Sequence, residues 1–211
     1  MIETQPIPIF GQKHRYLQLK QIAADRQLSF ERKMRFSTLP VGLLKFDIFQ
    51  KKSFKRIRNI FRIQDAEIPG EIMMFDFTYT HKDDLEFKRT TILTWKSLEM
   101  DLPKFHLKPK NVMMKLGALF VTSEEEFQEH PQFFRNYKVE GEHRDAINYA
   151  LKPEVLEFLS EEKGWSIEGN GRYLLCYKKH KTQKPEEITS FLEEGLDIFH
   201  WMLHSKTNDF V

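Results

Sequence analysis

The chain has 211 residues, of which 40% are hydrophobic and 13% are aromatic, so it can bury one substantial core. A single cysteine, Cys176, excludes an internal disulfide framework and favours a reducing compartment. Since no apolar run approaches the roughly 18 residues that a spanning helix needs, we expect a cytoplasmic protein. The expected organisation is a single domain over residues 1–211, with a flexible arm and a basic amphipathic helix in residues 1–36 and the core in residues 37–211.

The net charge of +2 conceals a strong asymmetry along the chain. Residues 13–62 contain 14 Lys and Arg against three Asp and Glu, whereas residues 63–211 carry an acidic excess. Such a segment can bind nucleic acid or anionic lipid, or it can be neutralised by the acidic remainder of the same fold.

The first predicted element is an amphipathic helix over residues 13–28. Its apolar side chains recur at helical spacing at Tyr16, Leu19, Ile22 and Ala23. The preceding stretch PIPIFG is expected to be a mobile arm, because its two prolines resist regular structure.

Three consecutive segments between residues 51 and 96 alternate apolar and polar side chains, which is the pattern of β-strands. In KKSFKRIRNIFR and the residue that follows it, the apolar positions are Ile57, Phe61 and Ile63, and the basic ones are Arg56, Arg58 and Arg62. EIMMFDFTYT and FKRTTILTWK alternate in the same way. The three segments predict an antiparallel meander with one buried face.

The rest of the chain predicts short strands and helices, followed by a long helix at the end. The predicted elements after residue 100 are a strand at KFHLK, a helix that starts at Ser123, a strand at residues 137–140, helices at residues 145–150 and 154–162, a hairpin at WSIEGNGRYLLCYKK and a helix that begins at Pro185. Gly195 lies in the apolar stripe of this last helix, where a close backbone approach is expected. Strands followed by helices indicate an α+β fold, with an antiparallel sheet (a meander plus the hairpin near the C-terminus) packed against helices that include the long C-terminal one.

A turn near residue 67 would set Arg58 opposite Asp76, so we expect a structural ion pair between these two residues. Lys51, Lys52, Arg56 and Arg62 would then remain as candidate anion-binding residues. An exposed pair contributes only about 0.2–1 kcal/mol, so Asp76→Asn is expected to change stability little.

The sequence assigns no catalytic residue and no cofactor. Asp197, His200 and His204 have the spacing of metal ligands on one helix face, but histidines near a helix C-terminus are favoured by the dipole, and no metal is expected there. Cys176 lies within a predicted strand and is expected to be buried and inert. The other histidines considered, His106 among them, are scattered along the chain.

Several motifs in order resemble a family of uncharacterised bacterial proteins. The resemblance covers residues 39–203 and rests on LPVGLLKFDIF, the hairpin from RIRNIFR to MMFDFTYT, HPQFFRNYKVEG, LKPEVLEFL and WSIEGNGRYLLCYKK. In that family a comparable domain often follows an N-terminal transmembrane helix, which this sequence lacks. The resemblance identifies no catalytic residue.

The favoured interpretation is a non-enzymatic cytoplasmic binding or interaction domain that associates peripherally with membranes. Its expected partner is an anionic membrane surface or another protein. The alternative is a nucleic-acid-binding module that uses residues 51–62, although the aromatic side chains expected for single-strand binding are predicted on the face opposite the arginines. A hydrolase ranks third, because no nucleophile, base and orienting group can be assembled from the sequence.

Overall fold

The computed structural model describes residues 9–50, 52–81, 84–110 and 130–203, and these residues build an eight-stranded antiparallel sheet. The strands are β1 Ser29–Met34, β2 Lys52–Ile63, β3 Gly70–His81, β4 Asp84–Ser97, β5 Leu102–Pro109, β6 Tyr137–Gly141, β7 Trp165–Gly171 and β8 Tyr173–Lys178. Their order across the sheet is β1-β2-β3-β4-β8-β7-β5-β6. Both the meander and the hairpin near the C-terminus are therefore confirmed.

The described helices are α1 Ile9–Asp25, α2 Pro131–Asn136, α3 Arg144–Ala150, α4 Pro153–Glu161 and α5 Ile188–Leu203. A 3₁₀ turn at Pro185–Glu187 leads into α5, and the backbone N–H of Lys184 donates to the Glu187 carboxylate at this entry. The α+β class and the long C-terminal helix are confirmed. No helix in the described part of the chain combines the length and the apolar character that crossing a bilayer requires.

Both faces of the sheet are covered, which corrects the expected single buried face. The helices pack on one face around Trp95, Trp165 and Phe199. The other face is covered by residues 36–49, which form 3₁₀ turns at Phe36–Thr38, Leu43–Lys45 and Asp47–Phe49. As a result, every residue of β3 from 72 to 77 is buried, with no alternation between a wet and a dry side.

Irregular pairing in β2 overturns the simple alternation that the sequence predicts. The pairing with β3 shifts between Arg58 and Phe61, where Asn59 has a φ of 52°. Because a one-residue bulge exchanges the two faces, Ile57 packs with the 3₁₀ layer while Phe61 packs with the helical layer. Arg58 lies opposite Asp76 as predicted, and beyond the bulge Arg62 pairs with Met73.

Local signals in the sequence predicted most of the helices and strands. Gly195 approaches the sheet as expected, since an added Cβ would lie 2.3 Å from Leu93 Cδ2. Strand β1, helix α2 and the 3₁₀ turns of residues 36–49 were not predicted. The helix predicted to start at Ser123 lies outside the described residues.

Candidate functional site

A groove at the β1–β2 edge of the sheet is lined by cations. The groove has a volume of about 660 Å³. Its lining residues include six bases and no acid, and the bases are Lys33, Arg35, Lys52, Lys55, Arg56 and Arg58. We call this surface the basic groove. Side chains of one sign around a concave surface sum to a positive potential that attracts anions.

Phe54 projects from the basic groove into solvent. The pairing of β2 with β3 shifts between Ser53 and Arg56, and Phe54 within this shift has a φ of 48°. Left-handed backbone is costly for a bulky residue, so the surrounding pairing must hold it. Its side chain is 65% exposed. The structure thus places an aromatic ring among the cations, which corrects the prediction that rings and arginines lie on opposite faces.

Three cations of the basic groove lie against aromatic rings. Lys55 Nζ lies 4.7 Å from the centroid of the Phe36 ring, and Lys52 Nζ lies 5.0 Å from that of Tyr79. The guanidinium of Arg56 lies 5.9 Å from the centroid of the Phe87 ring. Burial and the nearby Lys179 lower the pKa of Lys52. These contacts restrict the stems of the cations while their charges still border the groove.

The four predicted anion-binding residues differ in their surroundings. Lys52 and Arg56 line the basic groove. Arg62 instead donates from Nε to Glu31 Oε1 at 2.9 Å, so it is engaged across the β1–β2 pair. Lys51 lies outside the described residues. The candidate anion-binding residues are therefore better described as Lys52, Arg56 and their neighbours across the groove than as residues 51–62 alone.

Asp76 is buried, with 7% of its surface exposed. Arg15 of α1 donates to both of its carboxylate oxygens, at 2.9 and 3.0 Å, and Asn59 and Thr91 each donate one hydrogen bond at 2.8 Å. Arg58 lies opposite in the register, and a structural pair with Asp76 stays a prediction. The burial contradicts the expectation of an exposed pair.

A second polar centre crosses three neighbouring strands. In the register, His106 of β5 pairs with Glu140 of β6 on one side and with Glu168 of β7 on the other. Because directly opposite residues point to the same face, the three side chains form a row. Asp47 from the 3₁₀ layer and Tyr177 from β8 complete what we call the carboxylate–histidine cluster.

Glu168 is the buried carboxylate of the cluster. Its Oε1 accepts a hydrogen bond from the Tyr177 hydroxyl at 2.6 Å, and its Oε2 accepts one from the backbone N–H of Asp47 at 2.8 Å. Burial raises the pKa of Glu168 to about 7, although these hydrogen bonds and one from the Ile48 backbone oppose the rise. A carboxyl group in this state exchanges a proton near neutral pH.

His106 lies between Asp47 and Tyr177. Its Nδ1 is 3.3 Å from Asp47 Oδ2, and its Nε2 is 3.4 Å from the Tyr177 hydroxyl oxygen. Burial, together with the positive charge of Lys108, lowers the pKa of His106 to about 4. The imidazole is therefore neutral at physiological pH, and one of its ring nitrogens is unprotonated and carries a lone pair that can accept a hydrogen bond or bind a metal ion.

Lys108 bridges the exposed side of the cluster. Its ammonium lies 3.7 Å from Asp47 Oδ2 and also donates to Glu140, which pairs with Lys138 at 3.0 Å. Burial alone would raise the pKa of Glu140, but the hydrogen bonds from the two lysines outweigh it and the pKa is lowered. Asp47, His106 and Glu140 offer ligand atoms that all lie within 4.8 Å of one another.

A cleft of about 230 Å³ opens beside this cluster. Gly169 forms part of its wall, and an added Cβ there would lie 2.2 Å from Cε1 of Phe105. The absence of a side chain at this position therefore lets the Phe105 ring close over the strand. The cleft is large enough for a hydrated ion or a small polar molecule.

Of the three residues with metal-like spacing at the C-terminal end of the chain, Asp197 and His200 lie on the described part of α5. Asp197 is exposed, and His200 Nδ1 lies 3.8 Å from Glu67 Oε2. His204 lies outside the described residues. Cys176 is completely buried, and burial raises the pKa of its thiol well above the usual value, which is the environment expected of an inert cysteine.

Sequence reasoning missed the carboxylate–histidine cluster because its members are distant in the chain. One signal was present, since alternation in the hairpin places Glu168 on the same face as Leu175 and Tyr177. An acidic residue on an apolar face is a candidate for a perturbed pKa. The approach of Asp47 could not be inferred, because the fold of residues 36–49 was not predicted.

Comparisons with known proteins give a fold relationship. No protein-family model matches the chain, and no curated protein matches its sequence. Among solved structures, the mycobacterial trehalose monomycolate transport factor A, TtfA, aligns with a TM-score of 0.55 and 11% identity. The alignment covers 92% of this chain and 96% of that chain. At this identity the similarity concerns the fold alone.

Proposed function

We propose that this protein is a non-enzymatic cytoplasmic binding domain that attaches peripherally to anionic membrane surfaces through its basic groove. The observation that carries the proposal is the lining of the groove, where six cations occur without one acidic side chain. Anionic lipid headgroups attract each basic residue near the surface by about 1 kcal/mol.

Phe54 supports a membrane partner. A ring that is 65% exposed beside cations can enter the boundary between headgroups and acyl chains while the cations contact the headgroups. Holding such a ring in left-handed backbone at a solvent surface has a cost, which binding would offset. The fold shared with TtfA adds no argument about the ligand, because one fold supports many functions.

A nucleic-acid partner is the second candidate, and the same ring favours it. Single strands bind where cations track the backbone and bases stack on aromatic rings, and Phe54 lies among such cations. The membrane proposal is preferred because Phe36, Phe87 and Tyr79 already stack against cations of the chain itself. Among the rings described at this edge, Phe54 alone remains strongly exposed without such a cation contact.

The test is binding of the full chain to vesicles of phosphatidylcholine with about one third phosphatidylserine, beside pure phosphatidylcholine and an oligothymidylate strand. We expect binding to the anionic vesicles at about 0.1 M salt that is lost at about 0.5 M, since screening weakens exposed charges. The double variant K55E/R56E should weaken binding about 1,000-fold, because it replaces two attractions of about 1 kcal/mol each with two repulsions of similar size. Phe54→Ala should also weaken vesicle binding, although it leaves the charge of the groove unchanged, because it removes the exposed ring.

The matched control is K20E/K163E, which makes the same charge change at two exposed lysines outside the groove lining. This variant should retain most of the vesicle binding. Equal binding to neutral vesicles, or equal losses in the two double variants, would contradict the role of the groove. A tighter and salt-steep affinity for the oligonucleotide would replace the membrane with nucleic acid.

A further inference from the structure

We propose that Asp47, His106 and Glu140 form a binding site for one divalent transition-metal ion, such as Zn²⁺, in the cleft beside β5. This site is independent of the basic groove, because it shares none of the groove's lining residues. The ligand atoms would be Oδ2 of Asp47, Nδ1 of His106 and one carboxylate oxygen of Glu140.

The distances among the donors suit a shared ion. Ligands at 2.0–2.2 Å around a tetrahedral ion lie about 3.4 Å from one another. His106 Nδ1 and Asp47 Oδ2 are already 3.3 Å apart, and the whole set lies within 4.8 Å. Asp47 has an exposed side chain, so a small rotation can close the remaining gap without disturbing the core.

The far side of the imidazole is arranged as it is in metal sites. A histidine that binds a metal through Nδ1 carries its proton on Nε2, and this N–H needs an acceptor. The Tyr177 oxygen lies 3.4 Å from Nε2, and the Tyr177 hydroxyl in turn donates to Glu168 Oε1. This relay would fix the ring orientation and the tautomer that turns the Nδ1 lone pair toward Asp47. Tyr177 is therefore a positioning residue.

A cation already occupies the proposed location. The Lys108 ammonium lies between Asp47 and Glu140 on the half-exposed side of the cluster. A positive charge at this point therefore stabilises the carboxylates of Asp47 and Glu140. The long, flexible side chain of Lys108 can move away when an ion binds. The internal ammonium would lower the affinity of the site by competing for the same oxygens.

The donor set defines the class of ion. One imidazole and two carboxylates suit borderline ions such as Zn²⁺, whereas Ca²⁺ and Mg²⁺ prefer sites made entirely of oxygen ligands. Three protein ligands leave a fourth position toward the cleft for water or for a small anion. The cleft of about 230 Å³ provides the room for it.

The test is titration of the tag-free full chain with ZnCl₂ after chelator treatment, with stoichiometry from calorimetry and the thermal midpoint as a second readout. We expect one ion per chain and a rise in the midpoint, because an ion bound only by the folded state stabilises it. Asp47→Asn and His106→Gln should each weaken affinity about 100-fold. Tyr177→Phe should weaken it about 10-fold and shift the absorption bands of the Co²⁺ form.

Lys108→Met distinguishes a metal site from a purely structural salt cluster. Removing the competing ammonium should tighten Zn²⁺ binding at least 10-fold, because the Lys108 ammonium and the ion repel each other strongly at close range. His200→Gln is the matched control, since it removes a histidine on α5 outside the cluster and should leave affinity unchanged. The proposal is overturned if the wild-type chain binds no ion, if Asp47→Asn and His106→Gln retain full affinity, or if Lys108→Met weakens binding.

Discussion

The basic groove and the carboxylate–histidine cluster lie toward opposite ends of the strand order, and they treat charge in opposite ways. At the β1–β2 edge, cations border open solvent with no acid among the lining residues. At the β5–β7 end, lysines and carboxylates pair with one another beside a neutral imidazole in a partly buried row. The comparison teaches that burial, more than residue type, decides whether a charge is structural or available to a partner.

Asp76 gives the strongest test of this rule, because it is a buried acid that neighbours the groove strand. We expect Asp76→Asn to lower the free energy of unfolding by about 3 kcal/mol, since it leaves the Arg15 guanidinium buried without its bidentate partner. Urea unfolding followed by circular dichroism measures the change. The matched control on the same strand is Glu71→Gln, whose exposed pair with Lys96 should contribute less than about 1 kcal/mol. Equal losses in the two variants would break the rule.

His180 follows β8, and its ring centroid lies 6.4 Å from that of Tyr79; it gives a smaller, pH-dependent test. Burial, with added repulsion from Lys179 and Lys88, lowers the pKa of His180 to about 4. Between pH 6.5 and 4 the unfolded chain binds a proton at this residue that the folded chain does not, so stability falls as the pH falls through this window. Because His180 is exposed, solvent screening limits the expected loss to about 1 kcal/mol.

The measurement compares wild type with His180→Gln by urea unfolding across this pH range. The variant should lose less stability on acidification, because it has no proton to take up on unfolding. A binding test links this residue to the groove. An anion held near Lys52 should raise the His180 pKa, which histidine ring resonances in NMR spectra report. If the difference in unfolding free energy between wild type and His180→Gln stays constant between pH 6.5 and 4, His180 has an ordinary pKa and the prediction is wrong.

The parts of the fold that follow from local pattern were predictable from the sequence. The C-terminal hairpin and α5 carry strong turn, capping and periodicity signals, and the pairing of Arg58 with Asp76 followed from one turn position. The burial of Asp76 did not follow, because the residue that neutralises it, Arg15, lies 61 positions away on α1. Local sequence carries no signal for such a partner.

The two sites differ in how far sequence can reach them. The groove draws most of its charge from one basic segment, so its sign was predictable while its shape depended on bulges at Phe54 and Asn59. Such bulges are set by pairing across the sheet, and they redirect every side chain that follows. The cluster depends on the register between β5, β6 and β7, and on the irregular segment of residues 36–49 that carries Asp47. Neither could be predicted, because the pairing is non-local and the segment has no periodic pattern.

The smallest expected effect is that of Arg56→Gln on stability. The guanidinium is exposed and contacts the Phe87 ring at 5.9 Å, a contact that contributes about 0.5 kcal/mol at such a site. Relief of repulsion from Lys55 and Arg58 acts in the opposite direction. The free energy of unfolding should therefore change by no more than about 0.5 kcal/mol in urea titrations, while affinity for anionic vesicles falls by about fivefold, the effect of one basic residue near the surface. Lys163→Gln, which makes the same neutralisation elsewhere, should alter neither quantity. A loss of stability near that of Asp76→Asn would instead make Arg56 a structural charge and remove it from the groove's binding surface.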